Sequence, residues 1–494
     1  MPLTDSSPLT RRTLLKRGAL AAGAGLAGAV MPKVWANPIG ANDRVRLGII
    51  GLGIKGSQHV RTISQKMTGV QITALCDVDP RRVEEAKASL DAPAGSVFTT
   101  TDLREVMERR DVDAVLIATS THWHALATVW ACEAGKDVYV EKPVGRTIGE
   151  GRKVMAAATR YNRIVQTGTQ LRSDSDNDEI IDYIRSGKLG KVQWIHGVSY
   201  NLRTALAPRS PWYPDWLDYD LFCGPTPMVP LEREKLHYDW HWRWNTGNGD
   251  LVNMGIHAID LSRRFLGDAA MPQRIMSLGG RYAMNDVGDQ PNTQFTVMDF
   301  GDVPLLYENR CLPTKPGASY ADQYRGLRIG LIVQCENGYY AGYMGGSIFD
   351  NHGNRILRKA VEVDSVTAHL QNFFDCVRSR RSQDLAAGVE IGHHSAQFCH
   401  FGNLSYRVGQ SATNAAIDAT MGSVAGAEGA IGRMRTHLQE HAVDLNRDAM
   451  TMGPWLEVDP RRDAINGIAG GSAEDLNRAR YYIDEVERPG YEIG

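Results

Sequence analysis

The sequence predicts a doubly wound parallel α/β domain followed by an α+β domain with a large, mostly antiparallel open sheet. Three observations carry this. Between residues 45 and 167, short apolar β-rich runs alternate with helical stretches, the pattern of a parallel sheet covered on both faces. The first turn in that alternation reads Gly51-Leu52-Gly53-Ile54-Lys55-Gly56, the glycine spacing of a dinucleotide-binding turn, so the α/β half reads as a Rossmann domain. After residue 190 the rhythm changes to strand after strand with few helices between, which calls for an antiparallel sheet.

Each element follows in order. Thr10-Arg11-Arg12-Thr13-Leu14-Leu15-Lys16 precedes an Ala/Gly-rich apolar run, and Val34-Trp35-Ala36 offers a cleavage site. Residues 1–36 therefore read as a twin-arginine export signal, followed by a polar arm over 37–44. The run is too short and glycine-rich for a membrane span, and export implies a periplasmic or extracellular location. A domain over 45–170 then alternates strands (45–50, 70–75, 113–118, 137–140, 164–167) with helices (57–66, 80–90, 102–109, 124–134, 147–161). Pro80 suits a first helical turn. The domain over 171–494 carries strands at 191–203, 273–282, 292–300, 304–310, 327–335 and 339–343, and helices at 366–380 and 391–408. Residues 204–245 read as irregular, and the little-charged stretch 411–431 is left unassigned.

Bulk properties exclude several classes. A net charge of -2 with 23% charged residues gives no basic surface for nucleic acid or an anionic membrane. The seven cysteines are scattered without a C-x-x-C. They read as buried small hydrophobes rather than a disulfide framework or zinc cluster.

The glycine turn follows the first strand and opens the first helix, the context that gives the motif its meaning. Gly51 permits the tight turn, Gly53 lets the backbone approach a pyrophosphate, and Gly56 allows helix to pack on strand. The helix start, with Ile54 and Lys55, offers free N–H groups to the phosphates. Asp77 ends the second strand 21 residues after Gly56, where a carboxylate accepts from the adenine ribose and repels a 2′-phosphate. NAD is therefore preferred, while Arg81 and Arg82 leave NADP open. Asp79 before Pro80 fits a helix cap.

The strand over 137–140 runs into Glu141-Lys142-Pro143. Ligands of open parallel sheets sit at the carboxyl ends of strands, so this pair is placed to face a cofactor. Further on, Asn253 and His257 are four apart and would share one helical face.

With these residues in view, the sequence resembles the Gfo/Idh/MocA oxidoreductase family. The resemblance rests on residues 51–56, on Ala118-Thr119 followed by His124, on Glu141-Lys142-Pro143 and on residues 247–260. It extends to the tail, where residues 455–460 and the Arg488-Pro489 pair echo the family's exported branch, with its glucose–fructose oxidoreductases and NAD-dependent glycosidases. It implies a tightly bound NAD and a carbohydrate substrate. Lys142 would stand near the substrate hydroxyl and help move its proton. Glu141 would orient the cofactor or Lys142, and Thr119, Thr121 and His124 would lie beside the nicotinamide. Relatives also imply a cis Pro143 bond. His257 would act as general acid/base. Many relatives carry Asp where this chain has Asn253, which can orient His257 but not charge it; that fits a lowered histidine pKa or a proton load moved to Lys142. Asp260 would bind a sugar hydroxyl or serve packing. The family further implies a homodimer or homotetramer paired through the open face of the second sheet.

Trp212, Trp216, Trp240, Trp242 and Trp244 crowd one segment, with Arg203 upstream and His241 among them. Aromatic faces suit the C–H groups of a sugar, and the polar groups its hydroxyls; core packing is the competing reading for each tryptophan. His122 and His124 lack an evident third ligand, so no metal is expected. Export favours a cofactor that is retained and recycled. Three functions follow: hydride transfer between a carbohydrate carbon and NAD, redox-neutral glycoside cleavage by oxidation and elimination, and a non-catalytic nucleotide-loaded sugar-binding protein.

Overall fold

The computed structural model describes residues 44–93 and 95–494. The expected export signal and residues 37–43 of the expected arm lie outside the described residues.

The first sheet is parallel, ordered β3-β2-β1-β4-β5-β6. Its strands are β1 (Val45–Ile50), β2 (Val70–Cys76), β3 (Phe98–Thr100), β4 (Ala114–Ile117), β5 (Asp137–Val140) and β6 (Val165–Thr167). Four of the five intervening helices are α1 (Ile54–Lys66), α2 (Pro80–Ala88), α3 (Leu103–Glu108) and α4 (His124–Glu133); the fifth is α5 (Ile148–Arg160). The central strands β1 and β4 are mostly apolar and buried because helices cover both faces. Ile50 pairs with both Cys76 and Ile117, and Ile117 with Val140. Gly51, Asp77, Ala118 and Glu141, each one residue further on, therefore leave the sheet at one level. The strand order reverses between β1 and β4, and such switch points open the crevice where ligands bind.

Helix α6 (Asp178–Arg185) leads to a twelve-stranded mixed sheet. Its first strand is β7 (Val192–Tyr200). An excursion carries the hairpin β8 (Pro208–Trp212) and β9 (Leu231–Arg233) with α7 (Tyr219–Cys223) between them, and then α8 (Gly249–Asn253) and α9 (Gly255–Leu266). The sheet continues with β10 (Arg274–Gly280), β11 (Thr293–Asp299), β12 (Pro304–Arg310), β13 (Ile329–Cys335), β14 (Gly338–Tyr343), β15 (Gly345–Asp350) and β16 (Arg355–Lys359). β7 runs parallel to β12 and antiparallel to β13; the other pairings are antiparallel. One face packs on α9 and on α11 (Val389–Arg407) around Ile256, Ile259, Phe398 and Phe401. The preceding helix α10 (Ser365–Ser379) turns back and buries Leu370, Phe373 and Phe374 against Leu47 and Ile49 of β1, so the second half helps cover the first sheet.

The unassigned stretch 411–431 forms β17 (Gln410–Ala412), α12 (Asn414–Met421) and the start of α13 (Ala427–Glu440). The two helices lay Ile417, Met421, Ile431 and Met434 over Leu278, Phe295 and Leu306, on the face opposite α9. The open face of the sheet is thus closed over β10–β12 by the chain itself. Strands β18 (Met450–Met452), β19 (Trp455–Asp459) and β20 (Ala464–Ala469) extend the edge, and α14 (Ala473–Tyr481) precedes the tail. All seven cysteines are buried and unpaired. Among the described residues no helix is long and apolar enough to cross a membrane.

Candidate active site

The carboxyl ends of β1, β2, β4 and β5 face a cleft of about 520 Å³ whose opposite wall is built by the second half of the chain. Gly51, at φ +85°, would bring a Cβ to 2.6 Å from the Ala118 carbonyl carbon, and a Cβ on Gly56 would meet the Gly51 oxygen at 1.8 Å. Gly53 instead faces open space, with Arg82 Nη1 at 3.9 Å as the nearest group. The turn is therefore tight where backbone meets backbone and roomy at Gly53, which fits the close approach of a pyrophosphate. No side chain caps the start of α1, which leaves its N–H groups free for an anion. Ile54 lies there 70% exposed in the cleft wall, and Lys55 lines the same wall. Asp77 also lines it while accepting from the backbone N–H of Leu52 (2.6 Å) and Asp79 (2.9 Å), so it braces the glycine turn; burial raises its pKa. Asp79 caps α2 through the N–H of Arg81. These residues fit a dinucleotide.

Lys142 stands at the end of β5, before a cis bond to Pro143. Its Nζ donates to the backbone oxygen of Asn253 and, at 3.0 Å, to Asn253 Oδ1. That backbone oxygen is available because the expected continuous helix is broken: α8 ends at Asn253 and α9 starts at Gly255. The His257 N–H bonds to the Met254 oxygen at 3.2 Å instead of closing onto Asn253, so a helix-end carbonyl is left for Lys142. Gly255 stands at the break, packed so closely that a Cβ there would press the Tyr307 ring at 2.7 Å. Burial pushes the Lys142 ammonium down to about 8, against the pull of Glu141 and Asp250. Asn253 thus orients Lys142, which corrects the expectation that it orients His257.

Glu141 pairs with His59 at 2.8 Å, both side chains buried. Burial works against its charge, but His59, Lys55 and Lys142 together hold its carboxyl below the usual range. His257 lines the cleft with its Nδ1 buried and lacking a hydrogen-bond partner. Burial first, and the Lys142 charge second, keep it neutral. His241 lines the cleft too, with Nδ1 at 2.7 Å from the Tyr238 oxygen and its ring stacked 3.6 Å from Trp240. A proton on Nδ1 leaves Nε2 as an acceptor, and burial lowers the pKa to about 3. Tyr238 makes this possible at a φ of +68°, a strained backbone of the kind found at functional sites.

Arg203 reaches the cleft and is held by Asp250 through Nη2 (2.7 Å) and Nε (3.1 Å), and by the Tyr238 hydroxyl (2.9 Å). Burial opposes the Asp250 charge, and Arg203 more than offsets it. Asp250 also accepts from Asn253 Nδ2 (3.3 Å) and Cys311 Sγ (3.0 Å). It supplies, one helical turn before Asn253, a negative charge that Asn253 cannot. No motif in the sequence marks Asp250; its one clue is a carboxylate beside Leu251 and Val252 in the first turn of α8. Gln170, Asn201 and Tyr343 also line the cleft from separate segments, and no local motif marks them.

Three expectations need correction. Asp260 does not face the cleft: it is 1% exposed and bonded to Arg172 (2.9 Å) and Ser395 (2.6 Å). Trp242 is buried behind Arg203, 5.2 Å from its guanidinium, and supports the site rather than lining it. Of the five clustered tryptophans Trp240 alone lines the cleft; Trp212 bonds the Arg233 carbonyl, Trp216 stacks under Arg81 and Trp244 under Arg407. Thr119, Thr121 and His124 do line it. The His124 ring, however, is taken up by the oxygens of Pro143 (2.7 Å) and Thr119 (3.1 Å), so it fixes the backbone behind Lys142. His122 lies 2.8 Å from the Phe222 oxygen. Among the described residues no group of three or more His, Cys, Asp or Glu is placed to hold a metal.

Residues 45–169 match the oxidoreductase family profile described as an NAD-binding Rossmann fold, and residues 188–311 match the C-terminal alpha/beta domain of the same family. Inositol 2-dehydrogenase of Salmonella typhimurium is 32% identical over 168 residues, 34% of this chain and 49% of that protein. A glycosyl hydrolase family 109 protein of Shewanella pealeana is 27% identical over 224 residues, 43% of this chain and 47% of that protein. The chain thus spans about half the length of these curated relatives. Among solved structures, levoglucosan dehydrogenase in complex with NADH and levoglucosan superposes with a TM-score of 0.55 at 17% identity, covering 73% of this chain and 96% of that one. Scyllo-inositol dehydrogenase from Lactobacillus casei with NAD(H) and scyllo-inositol gives 0.53 at 18%, over 73% and 96%. Shared profiles in both halves and a shared two-domain fold place the chain in the Gfo/Idh/MocA oxidoreductase family.

Proposed function

We propose that this chain is an NAD-dependent oxidoreductase that moves hydride between a hydroxyl-bearing carbon of a carbohydrate and a tightly held nicotinamide. One observation carries the reading: Lys142, fixed by Asn253, lies in the same cleft as the glycine turn and Asp77. The dinucleotide, when bound, supplies the hydride acceptor. Gly51, Gly53 and the N–H groups of α1 would hold its pyrophosphate, and Asp77 its adenine ribose, which favours NAD over NADP. Lys142 Nζ takes the hydroxyl proton as hydride leaves the carbon, so the alcohol becomes a carbonyl and its proton rests on the amine. His257 and His241, both neutral, offer nitrogen atoms to neighbouring hydroxyls, and Arg203 offers N–H donors.

Read as an export signal, residues 1–36 point to a periplasmic or extracellular enzyme, and the scarcity of free dinucleotide there favours a cofactor recycled within each turnover. The similarity to a glycosyl hydrolase family 109 protein supports a second reading, glycoside cleavage through transient oxidation. The experiment is to denature the purified protein and identify released dinucleotide by mass spectrometry. Stoichiometric NAD or NADH is expected; a chain that neither carries nor takes up dinucleotide overturns the proposal. Aryl glycosides without added NAD separate the two readings, since phenol release without net NADH signals cleavage. Unchanged function in Lys142→Ala would point to a non-catalytic sugar-binding protein.

A further inference from the structure

The wall opposite the Rossmann half includes Leu221 and Phe222 of α7, which line the dinucleotide cleft alongside Trp123. Trp123 Nε1 donates to the oxygens of Leu221 (3.0 Å) and Phe222 (3.1 Å). α7 is only five residues long, too short to stand unaided, so something must hold it against the first domain.

The tail after α14 does so. The Ile483 oxygen accepts from the Gly149 N–H at the start of α5 (2.8 Å), and Glu485 is held by Arg146 and by Arg407 (2.7 Å). The chain then reaches the back of α7. Arg488 donates from its backbone to the Pro225 oxygen (2.9 Å), from Nε to the Gly224 oxygen (2.8 Å) and from Nη2 to the Asp220 oxygen (2.8 Å). Its Nη1 pairs with one oxygen of the Asp220 carboxylate, and the Tyr491 hydroxyl donates to the other at 2.8 Å. The Tyr491 ring meets Trp123 edge-on at 5.7 Å, and Tyr491 and Ile493 sink into the Rossmann core. The Arg488-Pro489 pair therefore stands where a strap crosses from one domain to the loop of the other.

We propose that this strap is a cofactor latch: Arg488 and Tyr491, by clasping Asp220, hold the Leu221–Phe222 wall over the cleft and slow dinucleotide release. This rests on the proposed function, because it takes the cleft to hold NAD. Arg488 and Tyr491 are positioning residues, since neither lines the cleft. In such a latch release waits on movement of this wall, so loosening its clasp acts on the off-rate.

The test loads the full chain with NADH, chases with excess NAD and follows loss of NADH fluorescence. Arg488→Ala and Asp220→Asn are expected to speed release by about tenfold or more, with a smaller effect for Tyr491→Phe and partial rescue by Arg488→Lys. The melting temperature of the dinucleotide-free variants, followed in parallel, separates a loosened wall from a damaged fold. Should Arg488→Ala fail to fold, Asp220→Asn and Tyr491→Phe change a single polar group each and keep the test. Wild-type release rates in both Asp220→Asn and Tyr491→Phe overturn the latch and leave the NAD reading standing. A wild-type chain that takes up no dinucleotide overturns both.

Discussion

Lys142 is held by an uncharged partner, and that sets how the site answers to pH. With its ammonium pushed down to about 8 by burial, proton acceptance requires the neutral amine, so kcat/KM for alcohol oxidation is expected to rise with pH through that value. Asn253→Asp adds a carboxylate beside Nζ, which favours the ammonium; the rising limb is expected to move about 1–3 pH units higher, and an unmoved limb would assign it to another group. The same burial costs stability. A lysine whose folded pKa lies below its usual 10.5 is penalised whenever it must stay charged. The penalty is fully present below pH 8 and fades as pH rises from 8 toward 10.5. Lys142→Met is therefore expected to abolish hydride transfer and yet raise the melting temperature at neutral pH, by a gain on the order of 3 kcal/mol at most. Thermal melts at pH 7 and pH 10 check the sign. The sequence made Lys142 legible because Glu-Lys-Pro stands at a strand end. It hid Asp250 and Tyr238, whose roles depend on which side chains the second half folds against them.

In the first sheet β1, β2 and β4 are readable as runs rich in apolar residues, β5 has the expected bounds, and Asp79 caps α2 as expected; β3, three half-buried residues, carries no such signal and is absent from the expected strands. The second half was harder. β17 and β18 have three residues each, and β15 opens on two glycines, so neither length nor alternation marks them. The aromatic segment misled for a related reason, since a tryptophan can pack under an arginine or line a cleft with the same local sequence. The break between α8 and α9 was also invisible, because spacing alone joins Asn253 and His257 on one face. Gly255 sits against the Tyr307 ring there. Gly255→Ala is expected to destabilise the fold by about 1–3 kcal/mol through overpacking and to shift the Asn253 carbonyl off Lys142. Chemical denaturation and the pH–rate profile measure the two effects separately.

At the scale of the molecule, the two halves are interleaved: α10 covers the first sheet, and the tail runs back to α5 and α7. The cleft is thus shaped by segments far apart in sequence: local patterns mark its Rossmann side and the Asn253–His257 stretch, and leave Gln170, Asn201 and Tyr343 unmarked. The closed face over β10–β12 bears on assembly. A dimer or tetramer paired through the open sheet face would have to use the strip over β13–β16, where Tyr339 and Phe349 stack at 5.1 Å. Light scattering on the wild-type chain and on Tyr339→Arg is expected to show an oligomer that dissociates on substitution, and an oligomer indifferent to the change would place the contact elsewhere.

The seven buried thiols carry a consequence about the order of events. An unfolded chain meeting an oxidising environment has many ways to cross-link wrongly, whereas the folded one shields its sulfurs from attack. A chain built this way gains by completing its fold where thiols stay reduced and only then meeting oxidants, which is the sequence of steps that transport in the folded state provides. Reaction with a thiol reagent is expected to label no more than about one cysteine in the native protein and all seven once it is unfolded.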